Sequence, residues 1–145
     1  MKRTEFKFAK SPAPEPQSGC AVLAFSKVSA GFPSPADDYM ESTLDLNTYL
    51  IKNPAATFFV RVDGESMTGA GIFPNDLLVV DRSVAPRSGN IVIAALDGEF
   101  AVKRLHRHKG RVELRAENPK FAPVVLAEWS ELEVWGVVTY VLHGV

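Results

Sequence analysis

Residues 57–71, TFFVRVDGESMTGAG, place a serine in a glycine-rich turn directly after a run with the composition of a β-strand. Aromatic and β-branched residues dominate the first half of this stretch, and they favour strands. Gly64 and Gly69 then flank the serine, and glycine lets a backbone turn sharply and approach another segment closely. Ser66 is therefore predicted to present its hydroxyl beside backbone N–H groups, which is the setting a serine nucleophile requires.

More short strands follow this turn at close spacing. The predicted strands are 57–62, 77–80, 91–96, 100–105, 111–115 and 134–142. Asp97-Gly98 is a strong signal for a tight hairpin between two of them. Many short strands separated by turn residues indicate a mainly β domain, built from a strongly bent antiparallel sheet or a partial barrel.

The chain begins with a segment of different character. Its prolines stand at 12, 14, 16, 33 and 35, and it shows no sustained helical or strand period before a short helix predicted over 44–52. Such a segment cannot bury enough apolar surface to offset its ordering entropy. We therefore predict a mobile N-terminal arm over 1–44 and a β domain over 45–145.

Two small residues of the arm, Ala30 and Gly31, stand between Val28 and Phe32. Small side chains on either side of a peptide bond leave room for a nucleophile to reach its carbonyl. By itself this is a weak signal, because Ala-Gly pairs are common in loops.

A candidate base for Ser66 lies on the predicted strand 100–105. Side chains alternate along a strand, so Lys103 shares its face with Ala101 and Leu105. Apolar neighbours lower the pKa of a lysine because they disfavour the charged form. A neutral Lys103 could accept the proton of Ser66, as in serine–lysine variants of the catalytic triad.

Each member of this pair also has an ordinary explanation. A serine in a glycine-rich turn usually forms the turn, and a lysine on a strand usually keeps its amine in water. Periodicity alone does not connect Ser66 to Lys103.

Composition narrows the class of protein. The 145 residues are 46% hydrophobic and carry a net charge of −1, which is typical of a globular domain and gives no overall field that attracts nucleic acid or anionic lipid. A single cysteine, Cys20, excludes an internal disulfide and fits a reducing compartment. We expect a cytoplasmic protein without a membrane span, because no apolar run approaches about 20 residues.

A basic stretch surrounds a turn predicted at Lys109-Gly110. Its members are Lys103, Arg104, His106, Arg107, His108, Lys109, Arg111 and Arg115. This stretch could contact DNA or an acidic partner, although a solvated hairpin is the simpler interpretation. His106 and His108 lack the cysteine or carboxylate neighbours of a metal site, so no metal and no cofactor is predicted.

Several motifs, taken in order, resemble the LexA/UmuD family of self-cleaving proteins, and within it the UmuD type. The motifs are Ala30-Gly31, Gly64-Glu65-Ser66-Met67, 72–81 and 97–103, with further similarity at 31–36, 45–47 and 135–138. The resemblance extends from Gly31 to the C-terminus. It implies the β fold of the LexA C-terminal domain, which signal peptidases share.

The resemblance also implies a function and partners. Ser66 would be the nucleophile and Lys103 the general base of a serine endopeptidase that cuts its own arm between Ala30 and Gly31. Cleavage would be stimulated by a RecA filament on single-stranded DNA. The shortened homodimer would then serve a UmuC-like error-prone DNA polymerase in SOS mutagenesis and translesion synthesis.

Two alternatives come from other classes of protein. A self-cleaving LexA-like transcriptional regulator would need a helical DNA-binding domain ahead of the cleavage bond, and we expect 30 proline-marked residues to be too few for one. An interaction module with an inert Ser/Lys pair would never cut itself. No direct sequence-specific binding to nucleic acid is expected.

Overall fold

A computed structural model of the chain describes residues 19–24, 27–32, 40–96, 98–126 and 132–145. Its contacts divide the chain into two units, Met1–Tyr49 and Leu50–Val145. None of the helices within the described ranges is long and apolar enough to cross a membrane.

The first unit contains an antiparallel strand pair, β1 (Cys20–Ala24) and β2 (Met40–Asp45). A short helix, α1 (Leu46–Leu50), begins directly after β2. Asp45 caps it, because its carboxylate accepts hydrogen bonds from the backbone N–H of Asn47 (3.0 Å) and the hydroxyl of Thr48 (3.1 Å).

The second unit is a seven-stranded sheet in which every neighbouring pair that the structure describes is antiparallel. Its strands are β3 (Thr57–Arg61), β4 (Leu77–Asp81), β5 (Ile91–Leu96), β6 (Glu99–His108), β7 (Arg111–Arg115), β8 (Val124–Leu126) and β9 (Glu133–Leu142). Their order across the sheet is β3-β4-β9-β5-β6-β7-β8. Single 3₁₀ turns at Pro54–Ala56 and Thr68–Ala70 precede and follow β3.

Both faces of this sheet carry buried side chains. On β5, Val92 and Ala94 belong to one cluster, together with Leu105 of β6 and Leu114 of β7. Ile93 points to the other face, where it joins a second cluster, and sheet alternation accounts for the division. That second cluster contains Val62, Met67, Ile72, Leu78 and Val80.

The central strand β9 is irregular in two places. Its register with β4 shifts between Val79 and Val80, and its register with β5 shifts between Ile93 and Ala94. Extra residues of this kind bend a strand and increase its twist. Gly136 lies between the two shifts, and a Cβ there would approach Cγ1 of Val80 to 2.6 Å, so only glycine lets β9 lie this close to β4.

The predicted mainly β, antiparallel fold is confirmed. The strands at 91–96 and 111–115 have their predicted bounds, and the others differ at their ends, most of all β6, which continues to His108. The predicted helix over 44–52 forms over Leu46–Leu50. Asp97 of the predicted hairpin lies outside the described residues, but Leu96 pairs with Glu99 as a two-residue connection requires.

Two parts of the sequence-based assignment were wrong. No element was assigned before residue 44, yet β1 and β2 pair there. The short strand β8 was also missed, and it extends the sheet beyond β7. The division into an arm of 1–44 and a domain from 45 stays a prediction.

Candidate active site

The turn that carries Ser66 is anchored by the residue after it. Met67 is buried, with 2% of its surface exposed, and its carbonyl accepts hydrogen bonds from the N–H groups of Ala70 (3.0 Å) and Ile72 (3.2 Å). Gly64, on the other side of Ser66, has a φ of 88°, which most residues with a Cβ avoid. The backbone around Ser66 is therefore held in place while Ser66 itself is half-buried.

Ser66 lines a cavity of about 300 Å³ whose walls are mostly apolar. The end of β3, the turn after it and the strands β5 and β6 form those walls. Its lining residues are Val60, Arg61, Val62, Asp63, Gly64, Ser66, Met67, Ile93, Phe100, Ala101 and Val102. The space suits an extended peptide with apolar side chains better than a charged ligand.

Lys103 lies on β6, next to Ala101 and Val102 of this cavity, and pairs across the sheet with Val92. Its side chain is partly buried, and its amine lies 5.6 Å from the centroid of the Phe121 ring. Burial lowers the pKa of Lys103 below the usual value for lysine. A larger fraction of this amine is therefore neutral near physiological pH than for an exposed lysine.

One segment, 117–121, contacts both the Ser66 turn and β6. The carbonyl of Glu117 accepts a hydrogen bond from the N–H of Gly69 (2.7 Å), and the amide of Asn118 donates to the carbonyl of Glu65 (2.8 Å). The carboxylate of Glu117 forms an ion pair with Arg104. Together with the contact of Phe121 with Lys103, these bonds connect the Ser66 turn to β6 through one segment.

Sequence reasoning missed Glu117, Asn118 and Phe121. They lie in an irregular stretch between β7 and β8, where no period or motif distinguishes them. Their contacts join positions separated by up to 53 residues, and such pairings leave no local trace in a single sequence.

Ser66 Oγ and Lys103 Nζ are not hydrogen-bonded to one another in this structure. In the absence of substrate, catalytic hydrogen bonds are often long or poorly aligned and shorten only in the reactive complex. The pairing of Ser66 with Lys103 accordingly stays a prediction.

Ala30 and Gly31 lie in the described segment 27–32, and both are exposed. The flanking side chains of Val28 and Phe32 are each 90% exposed. The N–H of Gly31 is 3.3 Å from the hydroxyl of Ser29. This segment therefore presents an accessible peptide bond between two apolar side chains.

Among the described residues, no group of three or more His, Cys, Asp or Glu side chains is placed to hold a metal ion. The rings of His106 and His108 lie side by side at an interplanar angle of 26°, with centroids 6.5 Å apart.

Replacing Gly69 by alanine should loosen the Ser66 turn. A Cβ at this position would overlap the carbonyl oxygen of Glu117, so the 117–121 segment would have to move. We expect a loss of about 1–3 kcal/mol in the free energy of unfolding, measured in urea. Gly144→Ala is the matched control, because a Cβ there meets nothing within 4 Å; an equal loss in both variants would contradict this account of Gly69.

Comparison with known proteins agrees with the fold and the motifs. The sequence model of the Peptidase S24-like family matches residues 22–139. Protein SamA of Salmonella typhimurium is 50% identical over 133 residues, which cover 92% of this chain and 92% of SamA. Protein ImpA of Escherichia coli is 51% identical over 122 residues, 83% of this chain and 82% of ImpA. The LexA repressor of Bordetella pertussis is 40% identical over 111 residues, 77% of this chain and 51% of the repressor.

The domain is mainly β and places a serine-bearing turn beside an apolar cavity. One family model matches most of its length, so the chain belongs to the Peptidase S24-like family. Within that class it is a UmuD-like member of the LexA/UmuD group, which confirms the resemblance derived from its motifs.

Proposed function

We propose that this chain is a self-cleaving serine endopeptidase in which Ser66 and Lys103 cut the bond between Ala30 and Gly31. One observation carries the proposal. Ser66 lines an apolar cavity, and the adjoining strand bears Lys103, a lysine whose pKa is lowered by burial. Membership in the Peptidase S24-like family supports peptide-bond hydrolysis.

The chemistry needs only groups of this chain and water. Neutral Lys103 accepts the proton of Ser66, and Oγ attacks the carbonyl carbon of Ala30. The bond from Ala30 to the nitrogen of Gly31 then breaks, and the amine of Gly31 leaves with the proton held by Lys103. Water, deprotonated by Lys103, hydrolyses the ester on Ser66 and restores both groups.

Two backbone groups are suited to stabilise the negative oxygen that develops on the Ala30 carbonyl. The N–H groups of Ser66 and Met67 donate no hydrogen bond to another described residue. They flank the hydroxyl in a turn that buried Met67 anchors. Donors held in advance at such a position stabilise the transition state more than the ground state.

The arm and the cavity have complementary properties. Val28 and Phe32 expose apolar side chains on either side of the bond, and the cavity offers apolar walls. β7 pairs with β6 only from Arg104 onward. Residues 99–103 of β6 therefore pair with β5 on one side and with no described strand on the other. An extended arm could add to this open edge by backbone hydrogen bonds.

Tethering supplies much of the rate. The 35 residues from Gly31 to Ser66 can span over about 100 Å when extended, so the arm can reach the cavity of its own subunit or of a partner. Holding the bond beside the serine replaces a bimolecular encounter by an internal one. We infer that a RecA filament on single-stranded DNA accelerates cleavage by favouring the state with the arm in the cavity.

The shortened chain is proposed to act as the accessory subunit of a UmuC-like error-prone polymerase in the cytoplasm. Similarity to the UmuD-like relatives supports this role in SOS mutagenesis. A LexA-like regulator is the second candidate, because the chain is 40% identical to a LexA repressor over 77% of its length. Sequence-specific binding of operator DNA, lost on cleavage, would favour the regulator.

Mass measurement of the intact protein tests the proposal. Incubation at alkaline pH, or at neutral pH with an activated RecA filament, should yield a product whose N-terminus is Gly31. The filament should accelerate the cut without changing its position. A stable full-length mass under both conditions, or a cut at another bond, would contradict the proposed reaction.

We also expect a homodimer at micromolar concentration, measured by light scattering. Family resemblance and the exposed apolar side chains of Val28 and Phe32 support this expectation, because exposed apolar surface tends to be covered. A monomeric mass would refute it. Mixing a tagged Ser66→Ala chain with the wild-type protein would then show whether one subunit cuts the arm of another.

A further inference from the structure

The hairpin of β6 and β7 has one core face and one cationic face. Leu105, Val112 and Leu114 point into the core. Residues directly opposite in a sheet project to the same side, so the other face carries the cross-strand pairs Arg104–Arg115, His106–Glu113 and His108–Arg111. We refer to these six residues as the cationic face.

The charges on this face are poorly balanced. Glu113 carries the one carboxylate among these six side chains, and it already forms an ion pair with Arg115, in which Nη2 of Arg115 lies 2.8 Å from Oε2 of Glu113. That hydrogen bond, followed by the charges of Arg115, His106 and Arg111, holds the pKa of Glu113 below its usual value. Arg104 is engaged by Glu117, whereas Arg111 is exposed and makes no ion pair with another described residue.

The arrangement is unfavourable for folding, because like charges directly opposite in a sheet are destabilising. Arg104 lies opposite Arg115. A tight turn sets this register: Lys109 and Gly110 both have positive φ, 47° and 77°, as a two-residue type I′ hairpin requires. The hairpin therefore presents its cations in a regular, preformed row.

We propose that the cationic face binds the backbone of single-stranded nucleic acid, without sequence preference. Arg111 can contact phosphates directly, whereas Arg104 and Arg115 would do so in competition with Glu117 and Glu113. The rings of His106 and His108, inclined at 26°, offer flat surfaces for unpaired bases. The six side chains include no large apolar anchor of the kind that dominates protein–protein contacts. Half-exposed Val125 of β8, opposite Glu113, adds only a small apolar contact at the edge.

On β6 the cationic face continues into Val102, which lines the Ser66 cavity, and Arg104 pairs with Glu117, which contacts the Ser66 turn, so binding has to be measured without concurrent cleavage. The test therefore uses full-length protein carrying Ser66→Ala. Fluorescence anisotropy with a labelled oligo-dT strand would be measured between about 50 and 200 mM salt. The logarithm of the association constant should fall linearly with the logarithm of the salt concentration, with a slope of about −0.7 for each phosphate contact.

Two substitutions should act in opposite directions. Arg111→Glu should weaken binding and lower the salt slope by about 0.7 or more. Glu113→Gln removes the carboxylate and should tighten binding, a gain that an unfolded protein would not show. Lys52→Glu is the charge-matched control, because Lys52 precedes β3, the strand at the opposite edge of the sheet from β7 and β8.

Three results would overturn the proposal. The first is no binding of the oligonucleotide at the lowest salt concentration. The second is an equal loss of affinity in Arg111→Glu and Lys52→Glu. The third is displacement of the labelled oligo-dT by poly-glutamate at equal charge concentration, which would indicate that the face binds an acidic protein surface instead.

Discussion

Replacing Ser66 by alanine should abolish the new N-terminus at Gly31. Removal of the nucleophile of a serine protease lowers kcat by about 2 × 10⁶. No product is therefore expected during an incubation that cleaves the wild-type protein completely, with or without a RecA filament. Intact mass spectrometry provides the measurement. The substitution removes one half-buried hydroxyl that makes no hydrogen bond to another described residue, so the fold should be retained.

Thr68→Ala is the matched control for this loss. It removes a hydroxyl from the same turn, two residues further along, and should leave cleavage close to the wild-type rate. Continued cleavage in Ser66→Ala would assign the nucleophile elsewhere. If the wild-type protein is never cut either, the chain is an interaction module and its serine is a turn residue.

Replacing Lys103 by methionine should separate catalysis from stability. Loss of a general base typically lowers a rate by about 10²- to 10⁴-fold. Methionine fills similar space without a charge, and burial already disfavours the charged form of Lys103. We therefore expect cleavage to be lost while the free energy of unfolding in urea is unchanged or increased. A stable variant that still cuts itself would exclude Lys103 as the base.

The pH dependence of cleavage tests the same assignment. Because the lowered pKa of Lys103 favours the neutral amine, the wild-type rate should rise with pH and level off below the usual pKa of lysine. Lys103→Arg should be inactive throughout, since its guanidinium stays charged in proteins. A rate that is flat with pH in the wild-type protein would contradict a titrating lysine.

Local pattern predicted most of the sheet. The strands 91–96 and 111–115 were bounded correctly because their β-branched residues and flanking turn residues agree. β2 was missed because its sequence, MESTLD, shows no clear apolar–polar alternation and the five prolines that precede it suggested irregular chain. β8 is three residues long, too short to show a period.

The candidate site was predictable only in part. Ser66 and Lys103 stand out because motifs surround them, and the alternation of β6 correctly gave Lys103 apolar neighbours. The contacts of Glu117 and Asn118 with the Ser66 turn depend on how the chain returns after β7. A single sequence holds no information about such long-range approach, so the segment that joins the turn to β6 emerged only from the structure.

Glu117 contacts the Ser66 turn through its carbonyl and β6 through its carboxylate, so one residue is bonded to both elements of the candidate site. A displacement of Glu117 would therefore shift the Ser66 turn and β6 together. A partner that bound there and shifted Glu117 would change the cleavage rate without entering the cavity.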